Sequence, residues 1–371
     1  MEDAQMGQIS LGRFLLGKPL ATAELPHQAI SRPIGLAVFA SDALSSTAYA
    51  TEEILIILAL AATVAGSGVF SISLPIAVAI AVLLVIVTLS YRQTIHAYPN
   101  GGGAYIVARD NLGEAPAQVA GAALLTDYIL TVAVSISAGV AQITSAFQEL
   151  LPYRVEIALV VIFLMTMVNL RGVKESGRLF AVPTYFFLGV MFLTLGVGLV
   201  RAMSGTLAPI EPASVEPIHF GAGTLTLFLV LRAFSSGCTA LTGIEAISNG
   251  ITAFKQPRSH NAAVTLTWMS GILITLFLGI TLLAHQIEAI PSETETVISQ
   301  LGRAVYGDNS PLHLAALAGT ALVAVVYRRI ERDDGTWTLR ETDRVAAAMF
   351  DIQASGGAGQ PLYLLAFRVP E

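Results

Sequence analysis

Charge is what this chain most lacks. Of its 371 residues only 12% are Asp, Glu, Lys or Arg, while 54% are hydrophobic; an average globular domain carries roughly a quarter charged residues. With a mean hydropathy of +0.69, the deficit excludes an ordinary water-soluble surface. Cysteine is almost missing too, Cys238 standing alone, so neither an intrachain disulfide nor a cysteine-type zinc site is available, and the thiol reads as a small packing residue. The formal net charge of −6 is small for this length and no basic tract points to nucleic acid. The segment 1–32 lacks the basic start and small-residue cleavage site of a secretory leader. It is expected to stay on the protein as a cytoplasmic lead-in, with Leu11 to Leu20 either lying along the membrane surface or simply preceding it. The long Leu/Val/Ile/Ala runs show no alternation of period two, which excludes a membrane barrel. No serine–histidine or paired-aspartate constellation stands out, so neither an enzyme nor a cofactor is expected.

What is present is a series of apolar runs of about 20 residues, each long enough to cross roughly 30 Å of hydrocarbon as a helix, the form that satisfies its own backbone there. Eight spans are expected, at 33–62, 73–95, 116–148, 153–170, 180–201, 222–250, 260–285 and 311–327. With a cytoplasmic N-terminus, the inner segments hold Arg13, Lys18, Arg32, Arg92, Arg109, Arg171, Lys174, Arg178, Lys255 and Arg258, and the outer loops hold Arg154, Arg201 and Arg303. Ten basic residues against three is the bias that places an inner loop in the cytoplasm, and it supports both the count and the orientation. The organisation is thus a segment 1–32, a membrane core 33–327 and a charged cytoplasmic tail 328–371 of unassigned role.

Spans one and six differ from the rest. The first is interrupted by Ser41-Asp42-Ala43-Leu44-Ser45-Ser46-Thr47-Ala48-Tyr49 and the sixth by Ser235-Ser236-Gly237-Cys238-Thr239-Ala240-Leu241-Thr242-Gly243-Ile244-Glu245. Both carry Ala-Leu-Ser/Thr in a small polar run with an acid close by. Matching interruptions five spans apart are what two halves of inverted topology would show, their discontinuous helices meeting near the bilayer midplane.

Acids are costly inside hydrocarbon and mark an ion or proton path by default. Helical spacing gathers them into stripes: Asp127, Thr131 and Ser135 at i, i+4 and i+8 in span three, Asp42, Ser45, Ser46 and Tyr49 at the first break, and Thr242 with Glu245 at the second. Single hydroxyls in membrane helices often do no more than bond a neighbouring carbonyl, but three acids cannot all be neutralised by lone Arg232. Carboxylates, hydroxyls and carbonyls freed at a break together replace the water shell of a small cation. Desolvation raises a carboxylate's proton affinity and a neighbouring cation lowers it, so Glu245 is the candidate for the coupling proton, with Asp42 and Asp127 on the cation. Glu52 and Glu53 either line an outer vestibule or cap the helix end. Tyr98-Pro-Asn-Gly-Gly-Gly-Ala-Tyr105 lacks the lysine of a phosphate loop and reads as a tight glycine turn. His96, His260 and His285 are scattered without metal-ligand spacing.

Five segments carry a family resemblance: Arg13 to Leu20, Ser41 to Tyr49, Ala97 to Val107, Asp127 to Gly139, and Ala233 to Asn249. Together they resemble the amino acid–polyamine–cation (APC) superfamily and, within it, the potassium importers of the KUP group, over about residues 11 to 310. The resemblance implies an all-α integral membrane protein with a LeuT-type inverted-repeat fold, helices 1 and 6 discontinuous, performing potassium–proton symport across the bacterial inner membrane. It assigns cation binding to Asp42, Tyr49, Asp127, Tyr128, Thr131, Ser135, Thr242 and Glu245. It also implies a homodimer and regulation by cyclic di-AMP through a cytoplasmic C-terminal region. The family core has ten spans in two repeats of five, followed by two more and a cytoplasmic domain, so the second repeat is expected to be incomplete here. Two other readings stay open: an amino acid permease, and a truncated membrane fragment that does not transport.

Overall fold

The computed structural model describes residues 29–101, 103–170, 176–210 and 225–325. Most of the amino-terminal segment and the whole tail 328–371 lie outside them. Twelve α-helices run through the described residues: α1 (Arg32–Ser45), α2 (Ala50–Ala65), α3 (Ser73–Ala97), α4 (Gly103–Leu112), α5 (Glu114–Ala146), α6 (Arg154–Leu170), α7 (Ser176–Met203), α8 (Leu227–Gly237), α9 (Glu245–Asn249), α10 (Arg258–Gln286), α11 (Val297–Tyr306) and α12 (Pro311–Val325). Among these residues there is no strand, only an isolated parallel bridge between Ile30 and Phe254.

Among the described residues five stretches are long and apolar enough to cross a membrane: Arg32–Ala62, Gly68–Ala97, Glu114–Ala146, Ala181–Met203 and Arg258–Gln286. They correspond to expected spans one, two, three, five and seven. Span four is α6, and span eight is the shorter apolar helix α12. Span six is not one helix but a series, α8, a 3-10 turn Cys238–Leu241, and the five residues of α9. Large apolar side chains stay exposed along α3 (Val78, Val82, Val85, Leu89) and α6 (Val155, Leu159, Phe163), at the spacing of one helix face turned to lipid.

By contacts the described residues divide into two units, 29–103 with 128–325, and 104–127. In the second unit the Tyr105 hydroxyl donates to Glu114 Oε1 at 3.3 Å, and its ring lies against Gly121, tying α4 to the start of α5. The first unit holds the core. Ala50, Ile54, Leu58 and Ala61 of α2 pack on Ile76, Ala77 and Ile80 of α3, with Leu229 and Ala233 of α8 and Phe277 of α10.

Lipid tails are as apolar as leucine, so close packing rather than water exclusion holds such helices together. Small residues show where. A β-carbon on Gly237 would meet Ile54 and Ile80, which is how α8 reaches both α2 and α3. Around Phe39 the fit is reciprocal: Gly35 of α1 makes room for the Phe254 ring, Gly250 after α9 makes room for the Phe39 ring, and the two rings stack with centroids 5.3 Å apart at 17°. Such a pair contributes about 1 kcal/mol beyond its buried area. Ile30 N–H donates to Ala253 O at 2.9 Å and Lys255 N–H to Ile30 O at 3.1 Å. The start of span one is thereby fastened to the end of span six, which brings their two interruptions to one place.

Candidate functional site

The first interruption comes from three consecutive hydroxyls. Ser45, Ser46 and Thr47 each donate to the carbonyl three residues back, Asp42 O at 2.7 Å, Ala43 O at 2.6 Å and Leu44 O at 2.7 Å. Side chains that capture these carbonyls compete with the helical N–H groups. The backbone tightens into the 3-10 turn Ser46–Ala48 and passes through Tyr49 at φ −125° before α2 begins. Carbonyl oxygens expected to be freed here thus already accept bonds, and the available oxygens are mainly side-chain ones.

The second interruption is deeper. After the 3-10 turn, Thr242 is extended with ψ 144° and its hydroxyl donates to Thr239 O at 2.9 Å. Gly243 then takes φ +80°, a left-handed conformation that a side chain would strain. Its Cα faces span one: a β-carbon there would lie 2.8 Å from both Asp42 Oδ2 and Ala43 N. Glycine is therefore what lets the Asp42 carboxylate rest against the backbone of the second break.

Span three joins them. Ser45 Oγ lies 3.4 Å from Ser135 Oγ, Ser46 Oγ reaches Ala240 O at 3.4 Å across the two breaks, and the Tyr49 hydroxyl sits among those of Ser135, Thr242 and Ser45, close enough to Asp42 to feel its charge. Ser45, Ser46, Tyr49, Thr131, Ser135 and Glu245 are all buried, whereas Asp42, Tyr128 and Thr242 are half-buried. Tyr128 accepts a hydrogen bond from Asn249 Nδ2 at 2.9 Å. Glu245 opens α9, two residues after Gly243. Asp127, half-buried on α5, belongs to the second unit.

Other expectations resolve more simply. Arg232 is exposed, which removes it from the buried cluster. Glu53 Oε2 accepts from the Ser236 hydroxyl at 3.0 Å, and Glu52 Oε2 takes the Val297 N–H at 3.4 Å, at the first turn of α11; the pair fastens α2 to α8 and to α11. His96, His260 and His285 are exposed. The glycine motif is a tight turn, Gly101 N–H donating to Tyr98 O at 3.0 Å.

Two features escaped the sequence. One is Asn249, although it stands four residues after Glu245 and seven after Thr242, the same helical spacing that found those two. The other is a buried network on α11. Thr296 donates to Gln142 Oε1 at 3.0 Å, Ser299 Oγ donates to Glu295 Oε1 at 3.0 Å and lies 3.2 Å from His313 Nε2, and Arg303 pairs with Glu295 at 2.8 Å. Its members are spread through a loop and three helices; Glu295, Ser299 and Arg303 do follow at i, i+4 and i+8, but Gln142 and His313 lie on other helices.

What the arrangement offers chemically is a small, buried set of hydroxyl and carboxylate oxygens drawn from three spans. That suits a hard monovalent cation better than a transition metal, which prefers nitrogen or sulfur. A family model described as amino acid permease matches residues 30–327. The chain is also 49% identical over 300 residues to the potassium transporter KimA of Bacillus subtilis (strain 168), an alignment that covers 81% of this chain and 48% of the relative. The chain thus spans about half the length of the curated relative it matches.

Proposed function

Because the chain belongs to the amino acid permease family and is a multi-pass membrane protein, we propose that it takes up potassium across the bacterial inner membrane, coupled to protons. One observation carries this reading: Asp42, Tyr49, Ser135 and Thr242 gather where two interrupted spans meet a third, with Gly243 holding the Asp42 carboxylate against the second break. A potassium ion bound there is held by Asp42, Tyr49, Thr131, Ser135 and Thr242, joined by Tyr128 and Glu245; Asp127 is assigned to cation binding by the family resemblance alone. Glu245 exchanges the proton. The interruptions belong to the inverted repeats of a LeuT-type fold, with the N-terminus cytoplasmic. The name of the relative supports potassium as the cargo.

The family description also favours an amino acid as cargo. A permease of that kind has to seat a substrate carboxylate, and beside Asp42 that carboxylate would meet a like charge. At 4 Å and an effective dielectric of about 20 the repulsion is about 4 kcal/mol, so the site as built prefers a cation. Dimer formation and control by cyclic di-AMP follow from the family resemblance alone and are proposed with it.

Expression in a bacterium deficient in potassium uptake tests the reading. Growth on limiting potassium and rubidium uptake that potassium, but no panel of amino acids, competes away are expected, and Asp42→Asn and Asp127→Asn are expected to abolish both. Glu245→Gln should leave some ion binding yet remove the pH dependence of uptake. Uptake competed by amino acids, or no uptake at all, would sink the proposal.

A further inference from the structure

α9 is short, yet both of its ends are engaged. At its start, Thr242 and Glu245 border the cluster built around the breaks. At its far end Asn249 donates through Nδ2 to the Tyr128 hydroxyl at 2.9 Å. α5 therefore meets span six at two levels, through Ser135 beside Tyr49 and Thr242, and through Tyr128 at Asn249. Seven residues separate Tyr128 from Ser135, about 10 Å of helix rise, with buried Thr131 between them. The polar stripe of α5 and the polar edge of span six run side by side over that length.

A third element closes on the same amide. At the first residue of α4, Gly103 has φ +49°, and a β-carbon on it would overlap Asn249 Oδ1. That oxygen is buried and has no hydrogen-bond partner among the described residues. An amide serving the fold alone would be expected to satisfy its carbonyl as well as its N–H, since buried polar atoms rarely go without. Here the carbonyl is held by contact with a glycine, while the hydrogen bond the side chain makes among the described residues goes to a phenol that the family resemblance assigns to cation binding.

We infer that Asn249 is a positioning residue for the cation path. It fixes the Tyr128 hydroxyl toward the space between α5 and span six, and Gly103 fixes Asn249 in turn. The glycine motif is then a support for the ion site, and Gly103 is needed for its missing β-carbon. This inference rests on the cation-transport reading.

Full-length protein carrying Asn249→Ala, Tyr128→Phe, both together, or Gly103→Ala would be compared with wild type in rubidium uptake, each at matched membrane abundance. Loss of one hydrogen bond that orients a ligand is expected to raise the half-saturating rubidium concentration about five- to tenfold while the maximal rate changes less than about twofold. The double variant should be no worse than Tyr128→Phe alone, because the amide acts only through the phenol. Gly103→Ala should reproduce the rise. If Asn249→Ala fails to reach the membrane, Gly103→Ala decides. An unchanged half-saturation in the variants of a transporting wild type would overturn the inference, as would effects of Asn249→Ala and Tyr128→Phe that multiply independently. A wild type that takes up no rubidium would instead overturn the cation reading beneath it, and this inference with it.

Discussion

Two interruptions of similar composition behave differently in this molecule. In span one, three hydroxyls in a row take the carbonyls of Asp42, Ala43 and Leu44. The chain tightens for a single 3-10 turn and resumes its helix. In span six, only one such bond forms, from Thr242 to Thr239 O, and the chain unwinds through an extended residue and a left-handed glycine. Both contain Ala-Leu-Ser/Thr, so that motif does not decide the depth of the break. Gly243 does, because φ +80° is open to it and costs most other residues about 1–2 kcal/mol. The shallow break brings Asp42, Ser45 and Tyr49 to the candidate site, and the deep one adds Thr242 and the space in which Asp42 can lie.

The largest effect is therefore expected from Gly243→Ala. The substitution adds left-handed strain and sets a methyl group 2.8 Å from Asp42 Oδ2 and Ala43 N, a separation at which both must shift. Rubidium uptake should fall at least about 100-fold, the equivalent of roughly 3 kcal/mol, with a lowered melting temperature in detergent. Near-normal uptake by this variant would mean that the deep break does not seat Asp42, and the contrast between the two breaks would lose its functional meaning.

A smaller effect is expected from replacing Ser45, Ser46 and Thr47 together with alanine. Each hydrogen bond lost contributes about 1 kcal/mol, and alanine's better helix propensity returns a few tenths of that per residue. Freed carbonyls should let span one run on as regular helix, so melting should move by only a few degrees. Rubidium affinity should still weaken about tenfold, since Ser45 leaves its place 3.4 Å from Ser135 and the Tyr49 hydroxyl loses a neighbour. If affinity stays put while stability collapses, the hydroxyls serve the fold rather than the ion, and the shallow break resembles any serine-kinked helix.

How much of this was readable in advance follows from which forces act locally. Apolar runs and their spacing are properties of each helix alone, so spans one, two, three, five and seven could be placed from sequence, and the family model match over residues 30–327 agrees with the resemblance found in the motifs. That Thr131 and Ser135 share a buried face of α5 was legible for the same reason, because i and i+4 lie together wherever the helix sits. Depth of a break was not legible. It depends on which carbonyls the hydroxyls capture and on whether a glycine has a neighbour's carboxylate to receive. Arg232 looked like the one cation at depth because sequence gives position along a helix but not which side faces outward; it is exposed. Glu52 and Glu53 could not be resolved because their partners, Val297 and Ser236, lie about 180 or more residues away.

The smallest expected effect comes from a carboxylate outside both breaks, and it sharpens the comparison as a control. Glu295 precedes α11, and burial pushes its carboxyl above the usual range even though the Arg303 guanidinium and the Ser299 hydroxyl pull the other way. A folded carboxyl that keeps its proton to higher pH than the unfolded one binds more protons in the native state. Its contribution to stability is complete below the ordinary value of about 4.5 and is lost as pH rises through the folded value. Melting temperature should therefore decline slightly from acid toward neutral pH, and Glu295→Gln should flatten that decline by no more than about 2 °C in a chain of this size. Uptake and its pH dependence should be unchanged, in contrast to Glu245→Gln. If the Glu295 variant altered the pH dependence of uptake as strongly as the Glu245 variant, proton coupling would not be confined to the deep break, and the functional asymmetry between the two interruptions would have to extend to the network around α11.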